Sequence, residues 1–331
     1  MDIFINQEFY NFYQKCPLKL VDIGASGGLS DNWRKAKKYL RFIGFEPQEQ
    51  DYLRPSESSL VKDTFINKAL YQQRATIDFH WTKKPGVSSI FAPDYEFLKQ
   101  FPEAERFKIS KTVKIEADCL DSQLAQRQIT DVDFIKLDTQ GSELLILKGA
   151  IDTLASVSGL EIEVEFSPLY KDQPLFSDVD KFVRSLGFQL FDLKPCYWKR
   201  KLAKKYGGLK GQLIFADALY LLKLDVFKQR LNGIEGGLLR KSKLLRAIAI
   251  TLLYGYLDYA AAIFELGKDA FSSKEKRIFY QEIKKHIVSA VRLPYFPGRG
   301  RIATLFKKLY SVFRHHHNEW SIAEEFLGNL D

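Results

Sequence analysis

Residues 18–46, LKLVDIGASGGLSDNWRKAKKYLRFIGFE, decide the fold. LKLVDI (18–23) is a short apolar run that stops at a glycine turn, and it reads as a buried strand. Residues 30–40 follow as a helix, with Ser30 or Asp31 available to cap it. RFIGFE is then a second strand that ends on Glu46. Strand, glycine turn, helix and strand make the first unit of an α/β domain. A dinucleotide fingerprint needs glycines at the first, third and sixth positions of the turn. Counting from Gly24, those positions hold Gly24, Ser26 and Leu29, so the pattern fails and a nicotinamide-dependent oxidoreductase is disfavoured.

The alternation continues downstream. TFINKALY leads into ATIDFHW (75–81), and PGVSSIFAP interrupts as a loop. TVKIEA (112–117), DFIKLD (133–138) and GLEIEVEF (159–166) read as strands. DCLDSQLAQ, the segment from Ser142 to Gly149, and SDVDKFVRSLG read as helices, the last capped by Ser177 and stopped by Gly187. FQLFDL and GQLIFADALYLL close the series. The basic loop Lys199–Lys210 between them has no clear helix, which favours an antiparallel final hairpin. The predicted fold is a Rossmann-like, doubly wound and mostly parallel sheet with a final antiparallel strand, over residues 1–221, followed by a basic, mostly helical region over 222–331.

The turn departs from nucleotide binders in one further way. Asp22-x-Gly24-x-Ser26-x-Gly28 follows the acidic-x-Gly-x-Gly-x-Gly pattern of S-adenosylmethionine (SAM) binders, with Ser26 in place of the middle glycine. An acid at the strand end suits the ammonium of a methionine moiety and repels a pyrophosphate. Gly24, Ala25, Ser26 and Gly28 form the turn that lets backbone approach a ligand. Glu46, 22 residues after Gly24, stands where a carboxylate can accept hydrogen bonds from both ribose hydroxyls.

Four segments then carry a family resemblance: VDIGASGG (21–28), GFEP (44–47), PGVSSI (85–90) and DFIKLDTQGSELLILKGA (133–150). Together with EIEVEF (161–166), they make residues 18–192 resemble the FkbM-type methyltransferases. The resemblance implies SAM-dependent O-methylation of a hydroxyl on a sugar, glycan or related acceptor. Family members usually read Asp-Val-Glu-Gly where this chain has Asp138-Thr139-Gln140-Gly141. Ser88 and Ser89 match the family's Gly-x-Ser-Ser pattern and are placed at the acceptor mouth.

A sugar hydroxyl needs a base or a metal to become a nucleophile. Asp138, at the carboxyl end of the central strand, is the first candidate for either role, and it also suits a helix N-cap. Glu163 and Glu165 share one face of their strand and fit a metal, sugar hydroxyls or a solvated face. His80, the one histidine in this half, fits a base or a packed side chain. A divalent metal stays an open question. His315-His316-His317 would diverge by ~100° steps on a helix and do not suit one ion.

Charge is uneven along the chain, whose net charge is +9. In residues 1–220, 31 Lys and Arg stand against 30 Asp and Glu; in 221–331, 19 stand against 11. A basic tail points to an anionic membrane surface or a partner, or to a solvated helical face. Residues 241–267, flanked by Lys241, Lys243 and Arg246, read as one long apolar helix suited to membrane docking or to a homodimer. Phe296, Tyr310, Phe313 and Trp320 are aromatic candidates in the same region. KRKLAKKYGGLK (199–210) suits a phosphate or plain solvation. A non-catalytic SAM-binding or interaction protein with a docking tail is the alternative to an enzyme. Nucleic acid is not expected. The three cysteines, Cys16, Cys119 and Cys196, form no framework, and no signal-like N-terminus or 20-residue apolar span is evident, so the expectation is a cytoplasmic protein, with a peripheral place at the inner membrane face open to it through its tail.

Overall fold

A computed structural model describes residues 7–25, 28–47, 63–206, 211–289, 296–313, 319–324 and 327. Its strands are β1 (Leu18–Ile23), β2 (Leu40–Phe45), β3 (Thr64–Ile66), β4 (Ala69–Leu70), β5 (Ala75–Thr82), β6 (Ile109–Asp118), β7 (Phe134–Leu137), β8 (Gly159–Glu165), β9 (Phe188–Trp198), β10 (Gln212–Leu222) and β11 (Ser321–Ala323). Eight of them form one sheet in the order β11-β9-β10-β8-β7-β1-β2-β3. The strands β3, β2, β1, β7 and β8 run parallel, and β10 is antiparallel to both β8 and β9. This is the doubly wound sheet with a reversed late strand that the sequence predicts. β1 and β2 are buried along nearly their whole length because helices cover both faces. A second, three-stranded sheet, β4-β6-β5, stands beside it and was not foreseen.

Several helices differ from the reading of the sequence. The segment 30–40 forms only the single turn Asp31–Arg34 and a 3-10 turn at Lys37–Tyr39. Its buried residues Trp33, Ala36 and Tyr39 recur every three positions, the period of the tighter helix. Ser177 lies inside the helix Phe176–Ser185, whose entry is held by Asp178 Oδ2 accepting from the Leu175 N–H at 3.0 Å. The long helix expected over 241–267 is two helices, Gly237–Leu253 and Leu257–Leu266, parted at Gly255, which adopts the left-handed φ of +80°. After the helix Arg299–Phe313 the chain returns to the sheet as β11.

The chain after Leu222 shares the core of the sheet instead of forming one of its own. Leu244, Leu245, Ile248 and Ile250 are buried in the same apolar cluster as Val21, Phe134 and Leu160. Such all-round burial explains why the Gly237–Leu253 helix is apolar on nearly every side. Its charges are spent inside the protein. Lys243 Nζ lies 3.0 Å from both Asp131 Oδ1 and Asp133 Oδ1, and Arg246 reaches Asp133 Oδ2 at 3.3 Å and Asp131. Lys241 pairs with Glu275 at 2.6 Å. From Ser242 onward this helix therefore offers no free membrane face. Tyr13 donates to the Leu245 carbonyl at 2.8 Å, tying the N-terminal helix Gln7–Lys15 to it. Among the described residues no helix is long and apolar enough to cross a membrane.

Asp133 is fully buried and also accepts the Lys19 N–H at 2.9 Å. Removing one member of a buried ion cluster strands the others, so Asp133→Ala is expected to cost about 3–5 kcal/mol in urea unfolding. Asp31→Ala, which breaks the exposed pair with Arg34, is expected to cost less than about 1 kcal/mol. Similar small losses in both variants would show that the cluster does not fix the C-terminal helix.

Candidate active site

Gly24 sets the geometry at the carboxyl end of β1. It has φ +83°, and a Cβ there would stand 2.0 Å from the Asp138 carbonyl oxygen. No side chain fits between the ends of β1 and β7. The Gly24 N–H donates to Phe45 O at 3.0 Å and the Asp138 N–H to Ile23 O at 3.0 Å, so three strand ends converge on this turn. Gly28 is also left-handed, at φ +71°. Ala25 is buried, with its Cβ close to Gly44 in β2. Ser26 lies outside the described residues.

A cavity of about 560 Å³ opens at this point, within the range of small-molecule sites. Gly24, Glu46, Ser88 and Asp138 line it, together with Lys68, Lys84, Thr139, Gln140 and Ser142. Ala69, Leu70, Phe79 and Ile115 of the small sheet supply an apolar wall. Glu46 is buried immediately after β2, its N–H bonded to Ile66 O at 3.2 Å.

Four of the sequence candidates take other places. Asp22 does not line the cavity. It is 1% exposed and lies in register with Lys136, whose Nζ is 3.7 Å from Asp22 Oδ1. Strand alternation turns it to the face where Glu161, in register with Lys136, meets Tyr254 at 2.6 Å. An ammonium does face Asp22, but it belongs to the protein. His80 follows the cavity-lining Phe79 in β5 and so faces the other side, where its Nδ1 is 2.9 Å from Thr112 Oγ1. Ser89 is fully buried and works on the loop: its Oγ donates to the Gln140 carbonyl at 2.7 Å and accepts from the Phe91 N–H. Glu165 is buried behind the cavity, and its Oε1 has no hydrogen-bond partner.

Asp138 and Glu163 are joined by the residue that departs from the family pattern. Gln140 Nε2 donates to Asp138 Oδ1 at 3.1 Å and to Glu163 Oε1 at 2.8 Å, while its Oε1 accepts from the Tyr170 hydroxyl at 3.0 Å. A glutamate at 140 would add a third carboxylate here; the amide bridges the two already present. Gln140 and Gly141 both adopt left-handed φ, 59° and 101°, which turns the loop back toward Asp138. The next turn is closed by Glu143, whose Oε1 accepts from the Thr139 N–H at 2.6 Å and hydroxyl at 2.9 Å. Glu143 and Tyr170 were missed in the sequence because nothing in their spacing marks them, and only the folded loop brings them to Gln140. Lys68 and Lys84 were missed because they flank strand and loop signals that carry no chemistry of their own.

Glu143, Glu163, Glu165 and Asp217 hold their protons to unusually high pH. Burial pushes Glu143 up to about 7, with Asp138 adding to the rise against the Thr139 hydrogen bonds. Burial followed by the charges of Asp138 and Glu165 raises Glu163, and burial followed by Glu143 raises Glu165. Asp217, in register with Glu163, rises to about 6 from burial and from Glu161. Among the described residues no group of three or more His, Cys, Asp or Glu is arranged to hold a metal ion. The His315-His316-His317 run lies outside the described residues. In the basic tract, Arg200 bonds Gln100 Oε1 at 3.0 Å and Gln212 Oε1 at 2.6 Å, so part of it braces the fold.

A Rossmann-like sheet with a reversed strand beside β8 and a cavity at the carboxyl ends of β1, β2 and β7 defines this protein as a methyltransferase of the SAM-dependent class once its family is taken into account. The methyltransferase FkbM domain matches residues 22–190, and the chain belongs to that family. The family implies SAM as methyl donor. No curated protein sequence matches the chain. Among solved structures it is similar to the 23S rRNA methyltransferase ErmE, at 10% identity and a TM-score of 0.29, over 73% of this chain and 82% of that one. It is also similar to Sp1610 of Streptococcus pneumoniae, a proposed tRNA (m1A22) methyltransferase, at 14% identity and a TM-score of 0.28, over 80% of this chain and 99% of that one.

A carboxyl raised in the folded chain keeps its proton where the unfolded chain loses it. Its stabilising contribution is complete below the ordinary value and is lost as pH rises through the raised one. For Glu143 that window runs from 4.5 to about 7. The unfolding temperature is expected to fall across this window, and Glu143→Gln is expected to flatten the fall. An unchanged slope in the variant would place the titrating group elsewhere.

Proposed function

We propose that the chain is a SAM-dependent O-methyltransferase acting on a hydroxyl of a sugar, glycan or related natural-product acceptor. The observation that carries this reading is the placement of Glu46 and the Gly24 turn on the same cavity as the Asp138 carboxylate. The residues fit the donor. Gly24 brings bare main chain to the cavity wall, and Glu46 can accept hydrogen bonds from two ribose hydroxyls. Leu70, Phe79 and Ile115 offer a dry surface to a flat ring. When bound, the donor supplies an electrophilic methyl group on a sulfonium.

The remaining work falls to the chain. Gln140 fixes the Asp138 carboxylate through Oδ1, and among the described residues Oδ2 carries no hydrogen bond. That oxygen can take the proton of an acceptor hydroxyl and so make the hydroxyl oxygen a nucleophile toward the donor's methyl group. Orienting the two partners in line supplies much of the acceleration. Ser88, held by Thr82 at 3.1 Å, lines the side of the cavity where the acceptor would enter, with Lys84 nearby in the same loop. A metal-assisted route has no ligand group in support among the described residues.

Two variants separate the roles. Glu46→Ala is expected to weaken SAM binding by about ten- to hundredfold in calorimetry, the loss for a charged hydrogen-bond acceptor. Asp138→Asn is expected to leave SAM affinity within a few-fold and to lower methyl transfer to a sugar acceptor by about 10²–10⁴. Near-normal turnover in Asp138→Asn would move the base to Glu163, and SAM binding indifferent to Glu46→Ala would overturn the cofactor assignment. SAM binding without transfer to any hydroxyl acceptor would favour a non-catalytic binding protein.

A further inference from the structure

Among the described residues, one late helix carries four exposed large apolar side chains. In Arg299–Phe313, Ile302, Leu305, Phe306 and Leu309 are 45, 56, 66 and 46% exposed. Their spacing of three, one and three places them within an arc of about 100°. Every side chain described in this helix is exposed, so the stripe has no cover from the rest of the chain among the described residues. Thr304 lies opposite it. Arg301 and Lys308 lie on one flank and Arg299 on the other, by the same angular count.

Charge decides what the stripe meets. The helix carries Arg299, Arg301, Lys307 and Lys308 and no acid, and no Asp or Glu occurs anywhere between Glu282 and Glu319. Two copies pairing through this stripe would bring cation against cation with nothing to offset them. A narrow apolar arc rimmed by cations is instead complementary to an anionic lipid surface, with the stripe entering the acyl boundary and the cations at the headgroups. The other apolar helix of this region, Gly237–Leu253, is buried from Ser242 onward and exposes only Leu238 and Leu239 of its first turn, too few for a stripe.

We propose that the Arg299–Phe313 helix docks the protein on anionic phospholipid bilayers, with Ile302, Leu305, Phe306 and Leu309 as the inserted face. The proposal does not depend on the identity of the methyl acceptor. Docking of this kind holds the enzyme at a surface reversibly, since one short amphipathic helix binds without spanning.

The test is sedimentation of the full-length protein with vesicles of phosphatidylcholine alone, or with about a third phosphatidylglycerol, at low and high salt. Binding is expected only to the anionic vesicles, and high salt is expected to release it. Leu305→Asp with Phe306→Asp, and separately Arg301→Glu with Lys308→Glu, are each expected to lower the bound fraction by about tenfold or more. These side chains are exposed, and SAM affinity and unfolding temperature are expected to stay at wild-type values. Phe306→Trp gives a second readout: its added fluorescence is expected to be quenched by brominated lipid. Absent vesicle binding, binding that both double variants retain, or no quenching of the new indole would overturn the proposal. A wild-type dimer that Leu305→Asp with Phe306→Asp dissolves, without vesicle binding, would make the stripe a self-association surface, and retention on RNA alone would make it a nucleic-acid surface; either result overturns it.

Discussion

The carboxyl end of the sheet depends on how one buried ammonium is placed among many acids. Lys136 stands in β7 between β1 and β8, in register with Asp22 on one side and Glu161 on the other. Burial opposes its charge, yet Asp22, Asp138, Glu161 and Asp217 together hold its pKa above the ordinary lysine value. Asp22 Oδ1 has no hydrogen-bond partner of its own and relies on this ion pair. Isolated in such surroundings, that carboxylate would cost several kcal/mol. Lys136 therefore lets β1 and β7 lie side by side with acids facing inward, and the cavity forms where those strands end.

The same row of charges reaches the C-terminal third. Glu161 accepts from the Tyr254 hydroxyl, which in turn accepts from Trp33 Nε1 at 3.0 Å. Trp33 sits in the turn that follows the Gly24 loop, and Tyr254 ends the Gly237–Leu253 helix. A buried polar chain thus runs from the first strand to the late helices. Trp33, Tyr254 and Glu161 pair with one another along it, and paired buried polar groups specify a packing instead of weakening it.

Much of the fold was legible in the sequence because its signals are local. LKLVDI, DFIKLD and GLEIEVEF are apolar runs bounded by turns, and each is a strand. The reversed β10 followed from the lack of a crossover helix before it. What stayed hidden depends on contacts far apart in sequence. The apolar character of 241–267 is equally consistent with a membrane and a core, and only the ion cluster with Asp131 and Asp133 decides between them. At the site, Gly24, Glu46 and Asp138 meet at one cavity, as their strand-end positions suggested, and Ser88 joins them from its loop. Asp22 and His80 point elsewhere because a strand turns successive side chains to opposite faces. Gln140 was visible only as a departure from a pattern, and its bridging amide became meaningful once Glu163 and Tyr170 stood beside it.

The three residues of β11 have a consequence out of proportion to their length. Ser321, Ile322 and Ala323 pair with Trp198, Tyr197 and Cys196 on the outer side of β9, and the neighbouring Trp320 packs against Trp198 with ring centres 5.3 Å apart. Without them the N–H and C=O groups at this end of β9 would lie open, a template on which another chain could extend the sheet. A strand of three residues thereby caps the stretch of the sheet edge where β9 ends.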